Sequence, residues 1–222
     1  MSWKGLRLMC SASSRTIMGG LSVMTGASAR AVYFGFAYLD TGSLYRAVGM
    51  RMLRAGNGLD DVKAMVAQAR AISLSDLEEP NLRAEATGEA ASLVAPQAEL
   101  RAALLDYQRN FATHPPGPVQ GAVLDGRDIG TVVCPDAEVK LFVTASPEAR
   151  AVRRHAELVA RKEDISLDVV RADLLKRDTR DSERTASPLM PADDAHLLDT
   201  TKMDIEAAFQ AAERIVTACR TL

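Results

Sequence analysis

Short apolar segments that end in polar residues alternate with helical patterns along most of this 222-residue sequence. From Phe34 onward, four of these segments have the length and composition of β-strands, at 36–39, 121–124, 139–143 and 196–198. Because helical patterns separate them, consecutive strands are expected to run in the same direction, with helices covering both faces of the sheet. The sequence therefore predicts an α/β protein with a parallel sheet.

The helices are placed by apolar spacing and by residues typical of helix ends. Ser43 is predicted to be the N-cap of a helix that runs to about Arg54, and Ser146 is predicted to open another that runs to about residue 161. Further helices are expected over about 60–71, 91–111, 166–184 and 204–219. Residues 73–90 are expected to be irregular, with Pro80 and Gly88 as breakers.

Three polar clusters lie at or near predicted strand ends, where sheets of this kind bind their ligands. They are DTGSLYR at 40–46, DGRD at 125–128 and RDTRDSER at 177–184. In the last cluster, Arg177, Asp181 and Arg184 are spaced to share one face of a helix. Structural alternatives remain for each cluster: core packing for Tyr45, a polar turn for DGRD, and a solvated face of salt bridges for RDTRDSER.

The charge balance argues against one broad class of function. Lys plus Arg is 27 and Asp plus Glu is 29, so the net charge of -2 does not favour a protein that coats nucleic acid. No run of 18 apolar residues predicts a membrane helix, and the three cysteines lack the spacing of a zinc site. Arginine far outnumbers lysine, which reflects either codon usage or guanidinium forks that bind phosphate.

Taken together, three motifs resemble those of the bacterial cytidylate kinase family, whose members transfer the γ-phosphoryl group of ATP to CMP or dCMP. The motifs are FAYLDTGSLYRAV at 36–48, DGRDIGTVV at 125–133, and RDTRDSER at 177–184 with Pro188-Leu189 after it. The resemblance extends from about Gly35 to the C-terminus. It implies a P-loop kinase-like, three-layer α/β/α fold with a parallel sheet, in a single domain over 35–222. Within that domain it implies a monophosphate-binding insertion at about 56–111 and a lid at about 150–165.

The resemblance also implies which residues contact the acceptor nucleotide. Arg46 and Arg127 would hold the monophosphate, because their planar forks match phosphate oxygens, and Thr41 and Tyr45 would line the same pocket. The edge of the cytosine ring would be contacted by Ser92, Arg101 and Asp128.

Two further groups of residues receive roles from the same resemblance. Asp181, together with Arg177 and Arg184, would hold the sugar hydroxyls. The lid would close over the ATP phosphates with Arg153, Arg154 and Arg161, which are counted with Arg127 and Asp128 as catalytic residues.

The implied partners are CMP or dCMP, ATP and Mg²⁺, with no nucleic acid, no membrane and no dedicated metal-ligand set. The chain is expected to be a cytoplasmic monomer. Another small-molecule or nucleotide kinase of similar fold is the alternative within kinases, and the cytosine-contacting residues argue against it.

Residues 1–34 depart from the family pattern. They contain no Asp or Glu, and the family's phosphate loop, G-x-x-x-x-G-K-[ST], is absent from them. Family spacing would put the loop lysine at Val23, and Lys4, the only lysine before Lys63, is out of register. The N-terminal strand and phosphate loop are therefore interpreted as degenerate, with the middle strand of the sheet lost.

Three explanations of this departure stay open. Residues 1–34 come from a frameshift or a misplaced start, or the chain is a catalytically inactive remnant that still binds CMP, or the segment is a transit peptide. The last is the weakest, because a transit peptide would precede the phosphate loop instead of replacing it.

Overall fold

A computed structural model of the protein describes residues 6–12, 35–160, 162–182 and 190–220, and it leaves the side chains of residues 6–12, 85, 177, 180–182 and 220 undescribed. The described residues form two compact units. The first, here called the sheet unit, contains those up to Leu39 together with those from Ala112 onward; the second, the helical unit, is Asp40–Phe111.

Five strands form one sheet in the described part of the chain. They are β1 (Leu6–Ala12), β2 (Ala37–Asp40), β3 (Gly121–Gly126), β4 (Val139–Thr144) and β5 (His196–Asp199). Their spatial order is β2-β3-β1-β4-β5, and the pairs β1–β3, β1–β4 and β4–β5 are parallel. This arrangement confirms the α/β class and the parallel sheet predicted from the alternating pattern.

The strand β1 corrects the expectation that the middle of the sheet is lost. It lies between β3 and β4, where Leu8 is opposite Val123 on one side and Val139 on the other. Ladder pairing uses backbone N–H and C=O groups, so an extended segment with several apolar residues can occupy a central position without the family's own strand sequence. The backbone groups of β3 and β4 that face this position are therefore paired.

Eight α-helices lie in the described residues. They are α1 (Thr41–Arg54), α2 (Val62–Arg70), α3 (Leu74–Leu77), α4 (Glu85–Val94), α5 (Ala98–Thr113), α6 (Pro147–Ala160), α7 (Leu167–Ser182) and α8 (Ile205–Arg220). The Ser146 hydroxyl accepts a hydrogen bond from the Ala149 N–H at 3.2 Å, which confirms the predicted opening of α6. Among these residues, no helix has both the length and the apolar character needed to cross a bilayer.

The core of the sheet unit lies between the strands and α8. Val123, Val139, Leu141 and Leu198 pack with small residues of that helix, among them Ala212. β3 is buried over its first four residues, as expected of a strand covered on both faces.

The helical unit differs from its prediction in two places. Residues 73–90 are not irregular, because they form α3, a 3₁₀ turn at Pro80–Arg83 and the beginning of α4. The single helix expected over 91–111 is instead divided between α4 and α5, with the break at 95–97, where Pro96 cannot continue the hydrogen-bond ladder. Gly88 therefore lies inside a helix and does not break one.

A lysine buried in the sheet unit ties β4 to the segment before β5. Lys140 Nζ donates hydrogen bonds to the Pro135 carbonyl and to both carboxylate oxygens of Asp194, the latter at 2.7 Å. The hydrogen bonding of Lys140 to Asp194 lowers the pKa of the Asp194 carboxyl. The stability that the pair contributes is therefore present above the ordinary pKa of a carboxyl group and is lost as the pH falls below it.

Candidate functional site

In the sheet unit, the DGRD cluster lies at the carboxyl end of β3, as predicted. The Tyr38 hydroxyl, on β2, donates a hydrogen bond to Asp125 Oδ2 at 3.4 Å. The side chain of the first residue of the cluster is thereby oriented by the neighbouring strand. The carboxyl edge of a parallel sheet is where α/β proteins place ligand-binding side chains.

A π-helical turn, Ile129–Val133, follows the cluster and fixes the backbone of Asp128. The Asp128 carbonyl accepts hydrogen bonds from the N–H groups of Val132 and Val133, at 2.9 and 3.2 Å. Asp128 is itself buried, while Arg127 beside it is half-buried. Single π-helical turns of this kind are frequent at functional sites, and here one fixes the backbone of Asp128, one of the residues that the family resemblance assigns to the acceptor nucleotide.

In the helical unit, α1 begins three residues earlier than predicted, because Asp40 and not Ser43 is its N-cap. The Asp40 carboxylate accepts hydrogen bonds from the Gly42 N–H at 2.9 Å and from the Ser43 hydroxyl at 2.8 Å. A carboxylate at this position also interacts favourably with the positive end of the helix dipole. Thr41, the first residue of the helix, is 4% exposed.

In the same unit, one contact joins two predicted acceptor residues, and two others donate hydrogen bonds to backbone carbonyls. The guanidinium carbon of Arg101, on α5, lies 5.7 Å from the centre of the Tyr45 ring, on α1, which is a cation–π contact. Arg46 Nη1 donates to the Leu82 carbonyl at 3.0 Å. Ser92, on α4, donates its hydroxyl to the Glu89 carbonyl at 2.7 Å. The half-buried ring of Tyr45 therefore has a guanidinium among its neighbours.

On α6, both described lid arginines are engaged in contacts of the sheet unit. Arg153 donates hydrogen bonds to the Thr200 hydroxyl and carbonyl and to the Met203 carbonyl. Burial of its guanidinium lowers the pKa of Arg153, an effect that nearby Asp199 opposes. Arg154 pairs with the buried Glu157 at 2.8 Å. The Arg153 contacts connect α6 to the turn after β5, whereas the Arg154–Glu157 pair lies within α6.

Four predicted residues lie outside the described side chains. Arg161 and Arg184 are outside the described residues altogether. Arg177 and Asp181 are in α7, which ends at Ser182, but their side chains are not described. The shared face predicted for Arg177, Asp181 and Arg184 therefore stays a prediction.

An ion pair between α6 and α7 was not anticipated from the sequence. Arg150 Nη1 donates to Asp178 Oδ1 at 2.9 Å and Nη2 donates to Oδ2, and the side chains are 6% and 28% exposed. Val170, Leu174 and Asp178 follow one another at i+4 spacing, and the first two belong to the apolar cluster between these helices. That spacing was the available signal, because it puts the carboxylate on the buried face of α7.

Comparisons with known proteins give one family. The family model described as "Cytidylate kinase" matches residues 20–220. A cytidylate kinase of Methylocella silvestris is 55% identical over 186 residues, covering 84% of each chain. One from Xanthobacter autotrophicus is 56% identical over 190 residues, covering 86% of this chain and 89% of the relative. The family match begins inside the segment 1–34, so the likeness reaches further toward the N-terminus than Gly35.

Proposed function

The chain belongs to the cytidylate kinase family, and on that premise we propose that it transfers the γ-phosphoryl group of ATP to CMP or dCMP, forming ADP and CDP or dCDP. The observation that carries the proposal is the identity of 55% and 56% with two cytidylate kinases over more than four fifths of the chain. A nucleoside monophosphate kinase of this family has the P-loop kinase fold. The parallel sheet with its polar carboxyl edge is consistent with that fold.

The acceptor nucleotide is recognised by complementary charge and hydrogen bonding. Arg46 and Arg127 donate to the monophosphate oxygens, and the buried Asp128 accepts from the cytosine amine, which adenine and uracil do not present in the same place. Ser92 and Arg101 contact the remaining edge of the base. Burial of Asp128 and its fixed backbone limit how far its carboxylate can move, which favours discrimination between bases.

The transfer itself needs no covalent enzyme intermediate. An oxygen of the acceptor phosphate attacks the γ-phosphorus in line, the bond to the β-phosphate oxygen breaks, and ADP leaves. The contribution of the protein is to hold the two phosphates in line and to neutralise their charge, and arginine side chains can do both. Arg153, Arg154 and Arg161 are the candidates for charge neutralisation on the donor side.

The magnesium ion is expected to be held mainly by the phosphates of ATP and by water, because Mg²⁺ rarely occupies an all-protein cage. Within the described residues, no three His, Cys, Asp or Glu side chains are grouped so that they could hold a metal ion. When bound, the ion offsets negative charge on the transferred group. We expect it to bind together with ATP, as part of the donor substrate.

A second candidate function is CMP binding with little or no turnover. The observation that favours it is in the sequence: none of the six lysines follows a glycine, so no phosphate loop with its Gly-Lys pair exists anywhere in the chain. The proposed acceptor residues all lie after residue 40 and are unaffected by this departure.

A phosphoryl-transfer assay with a panel of acceptors separates these functions. The purified chain is incubated with ATP-Mg²⁺ and, separately, CMP, dCMP, UMP or AMP, and the diphosphate products are quantified. We expect slow formation of CDP and dCDP, with UMP and AMP converted at least about ten-fold less efficiently, which corresponds to about 1.4 kcal/mol of discrimination. Equal conversion of all four acceptors would contradict the cytosine-contacting role of Asp128. Binding of CMP without any CDP would favour the second candidate function.

A further inference from the structure

Gly88 occupies the fourth position of α4, a place where its lack of a side chain is unfavourable for the helix itself. Glycine inside a helix is less stable than alanine, because it loses more backbone freedom on folding. Its N–H donates to the Ala84 carbonyl at 3.0 Å, so the helix is continuous here. The backbone therefore does not require glycine, and the reason for one must lie in what approaches it.

The group that approaches Gly88 is the guanidinium of Arg46. A Cβ atom built on Gly88 would lie 3.1 Å from Arg46 Nη2, 3.3 Å from Nη1 and 3.5 Å from Cζ, and these are its three nearest neighbours. The first two distances are tighter than ordinary contacts of a Cβ atom. The Arg46 guanidinium thus lies directly against the part of the helix surface that a side chain at position 88 would cover.

The same guanidinium is held from a second direction. Arg46 Nη1 donates to the carbonyl of Leu82, a buried residue of the 3₁₀ turn. The Thr87 hydroxyl donates to the Asn81 carbonyl at 3.0 Å and ties that turn to α4. The turn and the helix therefore form one support, with the Leu82 carbonyl and the open surface of Gly88 fixing where the guanidinium lies.

We infer that Gly88 is a positioning residue for acceptor-phosphate binding, because it lets Arg46 lie in the place and orientation from which its fork meets the monophosphate. The inference rests on the proposed function, which assigns Arg46 to that phosphate. Guanidinium–phosphate contacts are directional and bidentate, so a displacement of a few tenths of an ångström weakens them without removing the charge. A purely structural glycine would have no such link to the nucleotide.

Two substitutions of Gly88 test this role, and the first is expected to change stability and CMP affinity in opposite directions. Gly88→Ala is expected to raise the melting temperature by about 2 °C, because alanine favours the helix, and to weaken CMP binding about five-fold. Gly88→Leu, which reaches further over the guanidinium, is expected to weaken it about thirty-fold. Ala86→Leu places the same side chain at an exposed position of α4 and is expected to leave the dissociation constant unchanged.

The link through Arg46 is tested in a second background. In Arg46→Met, Gly88→Ala is expected to cause no further loss of CMP affinity, because the displaced group is gone. A five-fold loss that persists in this background, or an unchanged CMP affinity in Gly88→Ala and Gly88→Leu, would overturn the inference. If the unsubstituted chain fails to bind CMP, the proposed function fails first. If it binds CMP and Gly88→Leu binds equally well, only the positioning role fails.

Discussion

Replacing residues 1–34 with an N-terminal segment that carries the phosphate loop G-x-x-x-x-G-K-[ST] is expected to raise kcat for CMP phosphorylation by about 10²–10³-fold. In a phosphate loop, backbone N–H groups at a helix N-terminus cradle the phosphates, and a lysine reaches the β and γ oxygens. This chain has neither the Gly-Lys pair nor any lysine between Lys4 and Lys63. The phosphates of ATP would therefore lack the hydrogen-bond donors of that loop. In other enzymes, removal of such a donor lowers kcat by a factor of this order.

The acceptor side provides the internal control for that exchange. The KM for CMP is expected to stay within about two-fold. The exchange leaves Thr41, Arg46 and Asp128 in place, so the binding of the acceptor is unchanged. Steady-state kinetics with ATP and CMP varied in turn measure both quantities. Equal kcat values for the two proteins would mean that other residues of this chain already supply the donor contacts.

Asp178→Ala is expected to lower the free energy of unfolding by about 3–5 kcal/mol, because it leaves a buried guanidinium without its partner. Arg150 is 6% exposed, its two terminal nitrogens donate to the Asp178 carboxylate, and its Nε atom has no hydrogen-bond partner. Removal of the other partner, in Arg150→Met, is expected to lower the free energy of unfolding by less, since Asp178 is 28% exposed and can be hydrated. Urea unfolding followed by circular dichroism measures both variants.

The matched control is Asp168→Ala in the first turn of the same helix, α7. Asp168 is 90% exposed and pairs with Arg171 at 3.2 Å, so its removal is expected to cost less than about 1 kcal/mol. Similar losses for Asp178→Ala and Asp168→Ala would show that burial of Arg150 does not determine the cost. The asymmetry between Asp178→Ala and Arg150→Met is the sharper result, because it follows from burial alone.

The strands of the fold were more predictable than its helix ends. β3 and β4 follow from apolar runs whose burial on both faces leaves little choice of residue. The start of α1 did not, because Asp40 and Ser43 are both good N-caps and only the backbone shows which one accepts the N–H of Gly42. The strand β1 was missed because its central place depends on backbone pairing with β3 and β4, which no local pattern records.

The candidate site was predictable as motifs, whereas its supporting contacts were not. Arg46 and Arg101 were placed by the family resemblance, but the Leu82 carbonyl and the Tyr45 ring that they contact are 36 and 56 residues distant in sequence. Gly88 was predicted to break a helix, and the breaking tendency of glycine gives no hint of a guanidinium lying over it. Such contacts are set by tertiary packing between helices, which sequence spacing within one helix does not determine.

Calorimetric titration of the purified chain with CMP, and separately with ATP-Mg²⁺, tests the central claim most directly. The claim is that this chain retains the acceptor site of a cytidylate kinase while its donor site lacks the phosphate loop. It predicts saturable binding of CMP at one site per chain and at least about ten-fold weaker binding of ATP-Mg²⁺, a difference of about 1.4 kcal/mol. Absence of CMP binding, or binding of ATP-Mg²⁺ as tight as that of CMP, would contradict it.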